Sequence, residues 1–76
     1  MAAKKRKRKP KAKELIKQVA KNIRNCRMEK KLTQEQLQEV SGLRIYKYES
    51  GKNDMTLTTV HILSSYLEIE PWQLLK

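Results

Sequence analysis

The sequence is poor in the residues from which covalent cross-links, metal sites and catalytic centres are built. It contains one cysteine, Cys26, and one histidine, His61. A single cysteine excludes an intramolecular disulfide framework, and the two residues together cannot form a zinc-binding Cys/His cluster. No side chains assemble a nucleophile with a general base. We therefore predict no catalytic residues, no metal ligands, no cofactor and no enzyme activity, and no small-molecule ligand is evident.

Long apolar segments are missing as well. No run approaches the roughly 20 apolar residues that a helix needs to cross a bilayer. The charged start of the chain is not followed by the apolar segment of a secretory signal. The sequence therefore predicts a soluble, intracellular protein without a membrane partner.

Basic residues, by contrast, are abundant and unevenly placed. The chain of 76 residues contains 18 Lys and Arg and 8 Asp and Glu, a net charge of +10. Residues 1–13 include eight basic residues and no acid, whereas residues 14–76 include ten basic and eight acidic residues. Like charges repel, and residues 1–12 offer little to bury. We therefore predict that residues 1–12 form a disordered basic arm ahead of one small folded domain over residues 13–76.

Two helices are predicted in the first half of the domain. Apolar residues at three- and four-residue steps predict an amphipathic first helix from about Lys13 to near Lys30. Thr33 and Gln36 then form a capping box, in which each side chain accepts a hydrogen bond from the backbone amide of the other residue. The second helix begins there and ends at Gly42, which can take a positive φ.

Three shorter helices follow. The third covers roughly residues 43–50 and is closed by Gly51, Thr56 caps the fourth, and Pro71 suits the first position of a last helical turn. No strand pattern competes, so the sequence predicts a compact all-α domain of five helices. The predicted core side chains are Ile16, Val19, Ala20, Ile23, Cys26 and Arg27 of the first helix, Leu37 and Val40 of the second, and Leu57, Val60, Leu63 and Leu67 of the fourth.

The sequence over about residues 16–75 resembles the lambda-repressor-like, or Xre-type, helix-turn-helix family. The likeness is carried by Arg27 ahead of "LTQEQL", by the turn at Gly42, by the Glu-x-Gly of Glu49 and Gly51, and by the final "L-x-I-x-P-W-x-L-L". It extends through all five predicted helices.

The resemblance implies a protein that binds double-stranded DNA through its second and third helices, with the third in the major groove. Gln34 matches the position that binds a phosphate at the N-terminus of the second helix, where unpaired amides favour anions. Arg27 and Glu49 match a structural pair that joins the first helix to the third through a forked contact. The positions where family members approach the DNA backbone match Lys52, Asn53 and Thr56.

One spacing departs from the family pattern. Only seven positions separate Gly42 from Glu49, so the recognition helix is about three residues, close to one turn, shorter than in the family. Arg44 and Lys47 still fall on groove-facing positions, whereas Leu43 is expected in the core. The first turn, where most base contacts originate, is lost, and reduced sequence discrimination is predicted.

Several candidate contacts keep two interpretations. Arg44 and Lys47 contact either the O6 and N7 atoms of guanine or only phosphate and solvent. Tyr46 either donates a hydrogen bond to a phosphate or covers the helix surface. Trp72 is expected to seal the end of the core or to take part in a dimer contact rather than to stack on nucleic acid.

The basic arm has three interpretations. The favoured one is a sequence-independent clamp on duplex DNA, through Lys4, Lys5, Arg6, Lys7 and Arg8. The run "KKRKRK" also has the composition of a nuclear import signal. A solvated or RNA-binding tail is the third interpretation.

Together these observations predict a DNA-binding transcriptional regulator that combines a helix-turn-helix with a basic arm, as a monomer or weak homodimer. Two alternatives stay open: a protein–protein interaction module on the same fold, and an architectural protein that binds nucleic acid without sequence preference. A prokaryotic or phage protein of this kind would lie in the cytoplasm with the nucleoid, and a eukaryotic one in the nucleus.

Overall fold

The computed structural model describes residues 12–76, which form five helices joined by short connections. These are α1 (Lys13–Glu29), α2 (Gln34–Ser41), α3 (Ile45–Glu49), α4 (Leu57–Leu67) and α5 (Pro71–Leu75). Strands are absent from this part of the chain, and the prediction of an all-α, five-helix fold is confirmed. Residues 1–11 of the basic arm, among them Lys4, Lys5, Arg6, Lys7 and Arg8, lie outside the described residues.

The first helix buries one side along most of its length. Ile16, Val19 and Ile23 are buried on it, three and four residues apart as helical geometry requires. The chain leaves the helix at Lys31, whose backbone is left-handed with φ 58°. The observed Lys13–Glu29 agrees with the predicted extent of α1 within one residue.

The second helix has the predicted signals at both ends. Thr33 Oγ1 accepts a hydrogen bond from the amide of Gln36 over 3.0 Å, and Gln36 Oε1 accepts one from the amide of Thr33 over 2.8 Å. The capping box is thereby confirmed. At the other end Gly42 adopts a left-handed backbone with φ 77°, and its amide donates to the carbonyl of Gln38 over 2.8 Å.

Replacement of Gly42 by alanine is expected to lower the free energy of unfolding by about 1 to 2 kcal/mol, because only glycine takes a left-handed backbone without cost. An added Cβ would meet no atom within 4 Å, so the backbone alone carries the loss. Urea denaturation measures it. Asparagine tolerates this backbone better than alanine, so Gly42→Asn should lose less. Equal losses for the two variants would contradict the explanation.

The last two helices also begin where the sequence predicts. Thr56 Oγ1 accepts a hydrogen bond from the amide of Thr59 over 3.1 Å and caps α4. Pro71 is the first residue of α5, where its missing amide hydrogen costs nothing. Asn22 Nδ2 of α1 donates to the carbonyl oxygen of Leu74 over 2.9 Å, which joins α5 to the middle of α1.

The core lies where the five helices meet. Its almost fully buried apolar side chains are Ile23, Leu37, Ile45, Leu63, Leu67 and Leu74, and each helix contributes at least one of them. Burial of one such side chain stabilises a protein by about 1.5–3 kcal/mol. Leu43 and Cys26 are partly buried and pack against this cluster, as predicted for both. Burial raises the pKa of the Cys26 thiol.

Two predicted core side chains are exposed instead. Val40 is 55% exposed and Leu57 is 84% exposed. On α2, Val40 lies about 100° around the helix from the half-buried Ser41. On α4, Leu57 lies about 80° around the helix from the buried Leu67. On each of the two helices, the apolar residues span a wider arc of the helix surface than the neighbouring helices cover, and Val40 and Leu57 lie in the uncovered part.

The prediction that Trp72 seals the end of the core is also wrong. Its side chain is 58% exposed, and the Nζ atom of Lys76 lies 5.4 Å from the centroid of its ring. Leu74 is fully buried at this end of the domain instead. Helix α5 has only five residues. Its side with Leu74 faces the core, and its side with Trp72 faces solvent.

Candidate nucleic-acid interface

Two helices and a tight turn form the candidate interface. Between Gly42 at the end of α2 and Ile45 at the start of α3 lie only two residues. Ser41 Oγ donates to the carbonyl of Leu37 over 2.7 Å and accepts from the amide of Leu43 over 3.1 Å. Leu37 and Ile45 are fully buried between the helices. The turn and the shared core therefore fix the angle between α2 and α3.

A hydrogen-bonded network then joins this pair to α1. Arg27 Nε donates to Glu49 Oε2 over 2.6 Å, and Arg27 Nη2 donates to Glu49 Oε1 over 3.1 Å. Gln34 Nε2 donates to the same Oε1 atom over 2.9 Å. The carboxylate of Glu49, at the end of α3, thus accepts from α1 and from the start of α2. The hydrogen bond with Glu49 raises the pKa of Arg27 above its usual value.

The network is largely shielded from solvent. Arg27 is 9% exposed, and its Nη1 atom donates to the carbonyl of Leu32 over 2.8 Å. Among the described residues, no buried side-chain nitrogen or oxygen lacks a hydrogen-bond partner. Such a buried ion pair depends on both partners, because removal of one leaves the other charge buried and unpaired.

Gln34 has a second feature besides its contact with Glu49. It is the first residue of α2, and the first amides of a helix have no acceptor within the helix. Thr33 takes the amide of Gln36, which leaves the amides of Gln34 and Glu35 at the open end of the helix. An anion at that end would meet these amides and the positive end of the helix dipole.

Helix α3 is shorter than the predicted residues 43–50. It covers Ile45–Glu49, and Arg44 precedes it as the N-cap residue, outside the helix, with φ −81° and ψ 88°. Ile45 points into the core, while Arg44, Tyr46 and Lys47 are exposed. Each of these three side chains is therefore on the solvent side of the α2–α3 unit.

Three further candidate contacts follow α3 in the chain. Lys52 is exposed and Asn53 is half-buried. Thr56 is exposed, but its hydroxyl donates to Thr59 Oγ1 over 3.1 Å while it caps α4. A phosphate contact by the Thr56 hydroxyl would compete with that hydrogen bond, whereas Lys52 has no such competing contact within residues 12–76.

A second group of basic residues lies beside Gly51 and Lys52, and the sequence pattern does not predict it as part of the interface. Lys17, Lys21 and Arg24 of α1 line a shallow depression together with Ser50 and Gly51. Their repeat of four and three residues marks one side of a helix. Only the packing of α1 against the end of α3 shows that this side adjoins the candidate interface.

Two features, a metal-binding group and a membrane-spanning helix, are absent from the described residues. Over residues 12–76, no three His, Cys, Asp or Glu side chains form a group that could hold a metal ion. In the same part of the chain, no helix is both long enough and apolar enough to cross a membrane.

The comparisons with known proteins give one match. A family model described as helix-turn-helix matches residues 23–71, more than half of the chain. The match includes the second half of α1, all of α2, α3 and α4, and the first residue of α5. No curated protein and no solved structure matches the chain.

Proposed function

The chain belongs to the lambda-repressor-like helix-turn-helix family, a family of DNA-binding domains. We propose that it is a transcriptional regulator that binds double-stranded DNA. In this function α3 lies in the major groove and the N-terminal end of α2 faces a phosphate. The observation that carries the proposal is the exposed group of Arg44, Tyr46 and Lys47 on the solvent side of a rigid α2–α3 unit.

The network around Glu49 supports this function by holding three helices in one arrangement. Arg27, Gln34 and Glu49 are hydrogen-bonded to one another across α1, α2 and α3. A helix pair that is already positioned does not have to be ordered on binding, which lowers the cost of association. We assign Arg27 and Glu49 to this structural role, and Gln34 to a phosphate contact next to it.

The contacts divide into phosphate contacts and base contacts. Phosphate contacts position a protein on DNA, and base contacts give specificity. We assign phosphate contacts to Lys52, Asn53 and Tyr46, with Thr56 as a weaker candidate. A helix of five residues is only about 7.5 Å long, so few side chains reach base edges. Arg44 and Lys47 are the candidates for guanine contacts, and sequence discrimination is expected to be reduced.

The basic arm adds further phosphate contacts in this proposal. Its charges are not balanced by any acid before Glu14, and each neutralised phosphate releases condensed counterions. We propose that the arm clamps the duplex through its run of basic residues, Lys4, Lys5, Arg6, Lys7 and Arg8. Such a contact raises affinity for every duplex equally, because it involves only the backbone.

The double variant Arg44→Ala/Lys47→Ala tests the base contacts. With a duplex selected from a random pool by the full chain, we expect the ratio of selected-site to random-site affinity to fall about tenfold or more, since one bidentate guanine contact discriminates by about 1–3 kcal/mol. Fluorescence anisotropy measures both affinities. Lys30→Ala/Lys76→Ala is the control, because it removes the same charge from residues outside the interface and should leave the ratio unchanged.

The same experiment distinguishes base contacts from binding without sequence preference. An unchanged ratio in Arg44→Ala/Lys47→Ala would show that neither residue contacts a base. If no duplex is selected from the pool and all duplexes bind equally at every salt concentration, the protein is an architectural binder without sequence preference.

Exposed apolar side chains favour a protein–protein interaction module as the second candidate function. Leu15, Leu57 and Leu75 are exposed and line one apolar groove between α1, α4 and α5. Trp72 is exposed on α5 as well. A module that uses this groove is expected to lose all duplex binding once residues 1–12 are removed, and a weak homodimer would show a concentration-dependent mass in sedimentation equilibrium.

A further inference from the structure

Four basic residues of α1 form a row along one side of the helix. They are Lys13, Lys17, Lys21 and Arg24, here called the α1 strip. At 100° per residue they lie within an arc of about 80°, and the row is about 16 Å long. All four side chains are exposed. The helix-turn-helix match begins at residue 23, so three of the four precede it.

The α1 strip borders the end of α3. Lys17, Lys21 and Arg24 line one depression with Gly51, and Lys13 and Lys17 line a second one with Gly51 and Lys52. The backbone at Gly51 has φ 77°, and a Cβ added there would lie 3.6 Å from Lys17 Cγ. The α1 strip and Lys52 therefore form one continuous basic surface.

Within residues 12–76, no acid forms an ion pair with Lys52 or with a residue of the α1 strip. The ion pairs of that part of the chain join Arg27 to Glu49 and Lys30 to Glu68. Glu49 lines the first depression, but its carboxylate is already held by Arg27 and Gln34. Glu14 lies on α1 about 20° outside the arc of the strip. The positive charge of the strip is thus available to an external anion.

We propose that the α1 strip binds the sugar–phosphate backbone of DNA, next to the groove contacted by α3. The inference rests on the proposed function and extends it by a second backbone contact. A row of cations about 6 Å apart along a helix fits an extended polyanion, and each DNA strand carries one phosphate per about 3.4 Å of duplex axis. The phosphate-binding surface then runs along α1 from Arg24 to Lys13, with Lys52 beside the Lys13 end, where the basic arm joins the domain.

The test compares two full-length double variants that lose the same charge. Lys17→Gln/Lys21→Gln removes two cations of the α1 strip, and glutamine keeps the Cγ atom that faces Gly51. Lys30→Gln/Lys76→Gln removes two cations that line neither depression, since Lys30 pairs with Glu68 and Lys76 lies over the ring of Trp72. Binding to a random duplex is measured as a function of salt concentration, and hydroxyl-radical footprints of the complexes on a selected duplex are recorded.

For Lys17→Gln/Lys21→Gln, the slope of log affinity against log salt is expected to be shallower than that of the unaltered chain by about 1.8, since each phosphate contact contributes about 0.9. The footprint should lose protection at one edge only. The control variant should keep both the slope and the footprint. Equal slopes for the two double variants, or an unchanged footprint, would overturn the α1 strip as a DNA contact.

Two further results separate this inference from the proposed function. If the unaltered full chain binds no duplex, the proposed function itself fails. If the full chain binds but Lys17→Gln/Lys21→Gln has the same slope and footprint as the control variant, the DNA contact by the α1 strip fails while the proposed function stands. Tighter binding of single-stranded RNA than of duplex, lost in the strip variant, would also overturn the assignment to DNA. Should Lys17→Gln lower stability through Gly51, Lys21→Gln/Arg24→Gln provides the same comparison with Lys17 in place.

Discussion

A chain that begins at Lys13 is expected to bind random duplex DNA with a salt slope shallower by up to about 6 than that of the full chain, because it lacks seven basic residues that each contribute about 0.9 on contact with a phosphate. The full chain should then lose about a thousandfold or more in affinity between 50 and 200 mM salt, and the shorter chain far less. A salt titration by fluorescence anisotropy measures both slopes.

A full-length variant separates charge from chain length in this experiment. In this variant glutamine replaces five basic residues of the arm: Lys4, Lys5, Arg6, Lys7 and Arg8. If its slope is shallower than that of the full chain by up to about 4.5, as expected for five lost phosphate contacts at about 0.9 each, the charges of the basic arm are responsible. If the shorter chain and the full chain have the same slope, the arm does not clamp DNA.

The binding that remains without the arm is equally informative. Residual affinity with a shallower slope shows that the folded domain itself contacts DNA. Complete loss of binding shows that the arm supplied all the affinity. In that case the apolar groove lined by Leu15, Leu57 and Leu75 becomes the surface to investigate, with a protein as partner.

The second large effect concerns stability. Glu49→Ala is expected to lower the free energy of unfolding by about 3 kcal/mol, because it leaves the charge of Arg27 buried without a partner. Gln34 also loses its acceptor. Small domains have only about 5–15 kcal/mol of total stability, so the loss is a large fraction. Urea denaturation followed by circular dichroism measures it.

The double variant Arg27→Met/Glu49→Met is the matched comparison. Replacement of a buried ion pair by apolar side chains of similar size is often neutral or stabilising, so this variant should be more stable than Glu49→Ala. A loss below about 1 kcal/mol in Glu49→Ala, or a double variant that is no more stable, would show that the buried charge does not control stability here.

Local features of the fold could be predicted from the sequence because they depend on residues close together in the chain. The capping box of Thr33 and Gln36 joins residues three positions apart. The left-handed end of α2 at Gly42 needs only a residue without a side chain. The short α3 also follows from counting residues between Gly42 and Glu49. The family and the all-α class rest on these same local patterns.

Burial was less predictable, as Val40, Leu57 and Trp72 show. Helical periodicity gives the direction of a side chain around its own helix, but it does not tell which directions a neighbouring helix covers. Leu37 and Leu63 are fully buried while these three apolar side chains are exposed. The packing of the helices against one another determines the difference, and no local sequence pattern contains that packing.

The sequence by itself determined where α1, α2, α4 and α5 begin and which family the chain belongs to. Only the tertiary structure showed that Gln34 donates to Glu49, fifteen residues away, and that Gly51 brings Lys52 beside Lys17. Contacts of this kind depend on how whole helices pack. The α1 strip became a candidate for DNA binding for the same reason, since its residues are ordinary exposed cations until α3 is packed beside them.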